Sequence, residues 1–202
     1  MTAGRWLATA AVLVTLAIAS AFAGSSLAQP RGSTIAAALS KPPSGVIADC
    51  AKGSGIGRGG SLNKVFGSRR NLVVGPLAIS GAAEIPGFYS ESFGGNKLPV
   101  YVKAGHRVTL ALTRGTQGRA ALAYGPLPSG DVNLPDAHRV ITFIACPRGQ
   151  FSPGLGGPAG RLTFWSGGVL AIAPRCVPVL VWVDDEPASR RAVIHLGASS
   201  CG

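Results

Sequence analysis

From Val46 onward the chain alternates short apolar runs with Gly- and Pro-rich breaks, the pattern of strands joined by turns. Between Arg107 and Thr113, Val108, Leu110 and Leu112 alternate with Thr109, Ala111 and Thr113, the period of two expected of a half-buried strand. Arg139 to Cys146 is apolar on both faces, which predicts a strand in the middle of a sheet. Asn71 to Ile79, Leu98 to Val102 and Ala120 to Tyr124 supply further short runs, and Ala104-Gly105 marks a turn. The C-terminal third is the most regular. Leu162 to Trp165 and Val169 to Ala173 are strand pieces interrupted by Ser166-Gly167-Gly168, where a bulge or bend is expected. Val177, Val179, Val181 and Val183 share one face of the next strand, and Asp184-Asp185-Glu186-Pro187 turns the chain. Arg190 to Leu196 then returns with Ala192, Ile194 and Leu196 inward. Only Ser61 to Arg70 has room for a short helix, and no internal repeat is present. Seven or eight short strands predict an all-β fold, an immunoglobulin-like or related β-sandwich.

Ahead of this domain the pattern changes. Arg5 precedes an apolar stretch from Trp6 to Ala23, followed by small-residue cleavage patterns at Ala21-Phe22-Ala23 and Ser26-Leu27-Ala28. That is the layout of a secretory signal peptide over residues 1–23, with an uncleaved membrane anchor as the alternative. Residues 24–45 read as a flexible linker, bracketed by Gly24-Ser25-Ser26 and Lys41-Pro42-Pro43-Ser44-Gly45, and residues 46–202 as the β-sandwich domain. The expected location is therefore secreted or associated with the cell envelope, with membrane contact only through the N-terminal segment.

Cysteine usage agrees with export. Cys50, Cys146, Cys176 and Cys201 all follow the leader, and an even number in an oxidising compartment predicts two disulfides. Their separations of 96, 30 and 25 residues lack the close pairs of a zinc site. Of the three pairings, Cys146–Cys176 with Cys50–Cys201 is favoured here. The strands ending at Cys146 and beginning at Cys176 belong to one C-terminal sheet region, and Cys201 is free to reach back to the N-terminal segment.

Composition excludes several classes. With 47% hydrophobic residues the chain is neither disordered nor a coiled coil, and its 29 glycines follow no collagen period. The 19 basic residues outnumber the 8 acidic ones for a net charge of +11, and loss of the leader removes only Arg5. The charges are dispersed, with no dense basic helix and no aromatic-rich RNA motif, so a nucleic-acid partner is not expected. Attraction to an anionic cell-surface polymer or lipid is the simpler consequence.

The segments Val140-Ile-Thr-Phe-Ile-Ala-Cys-Pro, Arg161-Leu-Thr-Phe-Trp-Ser-Gly-Gly-Val, Pro174-Arg-Cys-Val-Pro-Val-Leu-Val-Trp-Val and Arg190-Arg-Ala-Val-Ile-His-Leu-Gly-Ala-Ser-Ser-Cys resemble a group of exported proteins of high-GC Gram-positive bacteria. Lys103-Ala-Gly-His-Arg-Val-Thr-Leu belongs to the same resemblance, which covers roughly the last hundred residues and carries no assigned activity. It implies an exported β-rich protein.

Candidate chemistry is sparse. Gly55-Ile56-Gly57-Arg58-Gly59-Gly60 matches G-x-G-x-x-G in form, but it lacks a βαβ context and an acid about 20 residues on, so a Gly-rich loop is expected. His106, His138 and His195 fall in separate segments without metalloprotease spacing, and no G-x-S-x-G elbow occurs. Asp184-Asp185-Glu186, the one acidic cluster, fits a solvated turn better than paired catalytic carboxylates or a Ca²⁺ site. Trp165 and Trp182 are either core residues or, if they share an exposed face, a ligand-facing platform. No cofactor, metal site or catalytic residue is assigned. The expectation is a non-catalytic binding or structural module at the cell surface. A secreted hydrolase with a dispersed His/acid/Ser site is the alternative, and it requires a deep cleft holding His138 or His195 beside an acid and a serine.

Overall fold

The computed structural model describes residues 41–51, 61–128, 131–152 and 157–201. The expected signal peptide, all of the linker before Lys41 and the Gly55–Gly60 motif lie outside the described residues.

Among the described residues, fourteen strands account for nearly all regular structure. In chain order they are β1 (Val46–Asp49), β2 (Leu72–Val74), β3 (Leu77–Ile79), β4 (Gly95–Lys97), β5 (Val100–Lys103), β6 (Arg107–Leu112) and β7 (Ala120–Tyr124). Then follow β8 (Val140–Ile144), β9 (Phe151–Ser152), β10 (Gly157–Pro158), β11 (Leu162–Trp165), β12 (Gly167–Ala171), β13 (Arg175–Val183) and β14 (Arg190–Leu196). The expected short helix is α1 (Leu62–Phe66), which lays Val65 against Ala78 and Leu162.

A five-stranded sheet has the order β1-β8-β6-β13-β14, with β1 and β8 parallel and the other pairs antiparallel. A four-stranded sheet, β11-β5-β3-β2, and a three-stranded sheet, β4-β12-β7, lie in one continuous layer. Continuity follows from register: Trp165 faces Val100 in one sheet and Gly168 faces Lys97 in the other, so a single ladder runs across both. The ladder bends at Ser166-Gly167, where the Leu98 amide donates to the Gly167 carbonyl at 3.0 Å. Gly167 is required there by close approach. A Cβ would sit 2.3 Å from the Tyr124 ring and 2.4 Å from the Ala123 carbonyl oxygen. The bend expected from the Ser-Gly-Gly run is thus the point where the chain passes from one sheet to the next. β9 and β10 form a separate two-stranded ribbon.

One core lies between the layers. Val177, Val179, Val181 and Val183 meet it from β13, Val108, Leu110 and Leu112 from β6, and Leu77, Val100, Leu122 and Val169 from the opposite layer. Its centre is aromatic: Phe143 stands edge-on to Tyr124 at 5.5 Å and tilted to Trp165 at 5.1 Å. The Tyr124 hydroxyl donates to the Leu98 carbonyl at 2.6 Å, and full burial pushes its pKa well above the ordinary range. β6 departs from expectation. As the third of five strands it is buried on both faces, and Thr109 on the outer side shares a hydroxyl hydrogen bond with Thr142 at 2.8 Å.

The favoured disulfide pairing is overturned. Cys50 joins Cys146 and Cys176 joins Cys201, with Cα–Cα distances of 5.3 and 5.6 Å. β6 separates β8, which ends two residues before Cys146, from β13, which carries Cys176; the two strands stand two spacings apart, about 10 Å, beyond disulfide reach. The parallel register of Asp49 with Ile144 instead brings Cys50 to Cys146. The β13–β14 hairpin, which sets Cys176 opposite His195, returns the tail to Cys176. Two closed bridges and no free cysteine among the described residues place the folded chain in an oxidising environment. Among the described residues no helix is long and apolar enough to cross a membrane.

Candidate functional site

The outer face of β4-β12-β7 carries the small side chains Ala121 and Ala123 beside Leu170, and this low surface lets the segment after β7 fold back over it. Two polar contacts hold that segment. A 3₁₀ turn at Leu134–Asp136 is closed by a capping box, in which the Asn133 amide donates to Asp136 Oδ2 at 3.1 Å. His138 Nε2 donates to the Pro126 carbonyl at 2.9 Å, and the His138 backbone bridges Leu122. His138 is therefore a latch for the loop and touches no acid. Between this segment and the turn leading into β4 runs an open groove of about 590 Å³. Phe93, Val132, Leu134, Leu170, Ala171 and Ile172 form its apolar part. Glu91, Lys97 and Asp131 edge it, with Lys97 Nζ 5.7 Å from the Phe93 ring centre. No histidine or cysteine lines it.

The histidine that meets an acid is His106. The turn from β5 to β6 puts Gly105 at φ +80°, a conformation that suits glycine, and presents His106 beside the β13–β14 turn. There His106 Nδ1 lies 2.7 Å from Asp184 Oδ2, and the Arg107 amide donates to Asp184 Oδ1 at 2.8 Å. Arg107 also pairs with Asp185 at 2.6 Å, and Arg190 with Glu186. Partial burial alone would raise the Asp184 pKa. The Arg107 amide, the His106 hydrogen bond and the charges of both residues outweigh it and hold the carboxyl below its usual value. The expected solvated acidic turn is present, with each acid matched to a basic partner. The antiparallel register of Val108 with Val183 produces this cluster, and only knowledge that β6 and β13 are neighbours would have revealed it.

The hydrolase geometry is not assembled around the residues expected to carry it. His195 points away from the core on β14 beside Cys176, and its Nδ1 is buried without a hydrogen-bond partner. The His106–Asp184 pair stands on two turns and shares no residue with the groove. Among the described residues no group of three or more His, Cys, Asp or Glu is placed to hold a metal ion. Trp165 and Trp182 are each 1% exposed, so they form no ligand-facing platform. Trp165 is packed on Phe143 inside the sandwich, whereas Trp182 lies on the other face of the five-stranded sheet, opposite Thr109.

Charge gives the site its character. All eight carboxylates lie among the described residues. Glu84, Asp184, Asp185 and Glu186 close ion pairs, and Asp136 caps its turn. The arginines so matched are Arg70, Arg107 and Arg190. Lys64, Arg69, Arg114, Arg119, Arg139, Arg148, Arg161 and Arg191 are exposed and close no ion pair with a carboxylate among the described residues. No family model, curated protein or solved structure matches the chain.

Proposed function

We propose that the chain is exported and works at or outside the cell surface as a non-catalytic binding or structural module whose basic exterior engages anionic envelope material, polymer or lipid. The observation that carries this reading is the set of exposed arginines and lysines unmatched by carboxylates, on a domain closed by two disulfides. A field of one sign over most of a small domain raises the local concentration of polyanions and speeds their capture. The hydrolase alternative has the His106–Asp184 contact in its favour, but that contact lies outside the groove.

The test is retention of the full exported chain on immobilised polyphosphate. Binding at about 0.05 M salt and release by about 1 M is expected, because screening shortens the reach of exposed charges. Passage through the column at low salt would remove the reading. Turnover of an ester or glycoside that His106→Ala and Asp184→Asn both abolish would establish the hydrolase instead.

A further inference from the structure

Resting on that reading, we propose that one corner of the sandwich, built from residues 84–89 and 172–175, docks on a bilayer with anionic headgroups. Ile85, Phe88 and Ile172 would enter the headgroup–acyl boundary, while Arg119 and Arg175 meet the headgroups. These three apolar residues are 60%, 62% and 62% exposed, among the most exposed large hydrophobics of the described residues.

Hydrogen bonds and close packing bring the two segments together. The Tyr89 hydroxyl donates to the Ala171 carbonyl at 2.9 Å, which ties the residue after Phe88 to the residue before Ile172. Gly197 is wedged between the two segments: a Cβ there would sit 2.7 Å from Tyr89 Cβ and 3.0 Å from Pro174 Cβ. The His195 amide donates to the Ala82 carbonyl at 2.8 Å, fixing the start of the first segment to β14. The Cys176–Cys201 bridge closes the tail beside the second. The corner thus carries exposed apolar side chains on segments tied together by hydrogen bonds, packing and a disulfide.

Charge complementarity selects the occupant. The Ile172 amide donates to the Arg119 carbonyl, and Arg175 Nε to the Ala173 carbonyl, so both arginines flank Ile172. Glu84, next to Ile85, is neutralised by Arg70 at 2.7 Å; Glu91 and Asp131 edge the groove that Ile172 also lines, with Lys97 beside them. Exposed apolar side chains gain nothing from a hydrated polyanion in solution, whereas a bilayer interface accepts them and its anionic lipids attract the adjoining cations. A second copy of the chain is a poor occupant, because a net charge of +11 opposes self-association.

The experiment is co-sedimentation of the full chain with phosphatidylglycerol–phosphatidylcholine vesicles, with pure phosphatidylcholine vesicles and soluble polyphosphate as the other arms. Phe88→Ser and Ile172→Ser should each weaken binding to the anionic vesicles about tenfold and leave polyphosphate binding unchanged. Phe151→Ser, at the 65% exposed Phe151 of the β9–β10 ribbon, should change neither. Arg119→Glu should weaken the anionic vesicle arm further. Because the substituted residues are exposed, a thermal melt confirms that each variant is folded. Wild-type vesicle binding by Phe88→Ser and Ile172→Ser, or an equal loss from Phe151→Ser, overturns the docking corner and leaves the basic-surface reading standing. Failure of the parent chain to bind either vesicles or polyphosphate overturns both.

Discussion

Removing the Cys50–Cys146 bridge should cost more stability than removing Cys176–Cys201, and the damage should fall in a different place. The two bridges close loops of 96 and 25 residues that do not overlap in sequence. Chain entropy then assigns about 4.7 kcal/mol to the first and about 3.5 kcal/mol to the second, as upper figures. Each is a large fraction of the roughly 5–15 kcal/mol that holds a typical domain together. Local structure sharpens the difference. β1 is an edge strand held on one side by its parallel ladder to β8, and Cys50 lies one residue beyond it. Without the bridge, four residues of edge strand must stay paired against the entropy of a free arm. Urea unfolding of Cys50→Ala/Cys146→Ala and Cys176→Ala/Cys201→Ala variants, with amide exchange, measures both effects. The first variant should lose protection across Val46–Asp49, and the second only near residues 197–201. A non-reducing peptide map that links Cys146 to Cys176 refutes the connectivity. A larger stability loss from the short loop than from the long one refutes the entropic account.

Asp184→Asn keeps a side chain that tolerates the positive φ of 48° at this position and removes the charge alone. Because the folded carboxyl titrates below its unfolded value, its contribution is fully present above the unfolded pKa, near pH 4, and is lost as pH falls through the folded pKa. The parent should therefore exceed the variant by under about 1 kcal/mol at pH 7, a half-exposed pair being worth little, and match it near pH 2; a gap that widens in acid would reverse the sign. Trp165→Phe should stay within about 1 kcal/mol of the parent, because the lost ring volume is offset by removal of the buried Nε1 that has no hydrogen-bond partner. Trp165→Ala should cost about 3–5 kcal/mol, and an equal loss from Trp165→Phe would show that Nε1–H is bonded in solution.

The parts of the fold legible in the sequence are those fixed by local periodicity. Alternation along β13 and β14 placed Val177 to Val183 and Ala192 to Leu196 on the core side, and the burial of these faces follows. Ser166-Gly167-Gly168 signalled the bend because side chains cannot fit so close to Tyr124. Strand order was not legible, since period-two patterning fixes which face is buried and leaves the lateral neighbour open. The favoured disulfide pairing fails there: β8, which leads to Cys146, and β13, which carries Cys176, belong to one sheet, but patterning does not show that β6 intervenes. The same gap hid the His106–Asp184 contact, whose residues are 78 apart in sequence. Alternation sets Trp182 on the face opposite Val177 to Val183, but it cannot say whether that face is covered.

The use of the carboxylates gives the charge surplus its meaning. The acidic residues of the β13–β14 turn are spent on the fold, tying it to the start of β6 and to the start of β14. Three carboxylates against Arg107 and Arg190 leave about one negative charge in that cluster with His106 neutral, so the long-range field comes from the exposed cations left over. Fourteen of the 19 basic residues are arginines, whose guanidinium stays charged at any pH a protein survives. The planar fork also suits phosphate and carboxylate groups, with two donors for two oxygens. An exterior built this way keeps its sign from mildly acidic to alkaline conditions and yields chiefly to salt. Binding that rises and falls with ionic strength, and barely with pH between about 5 and 9, is what such a surface must display.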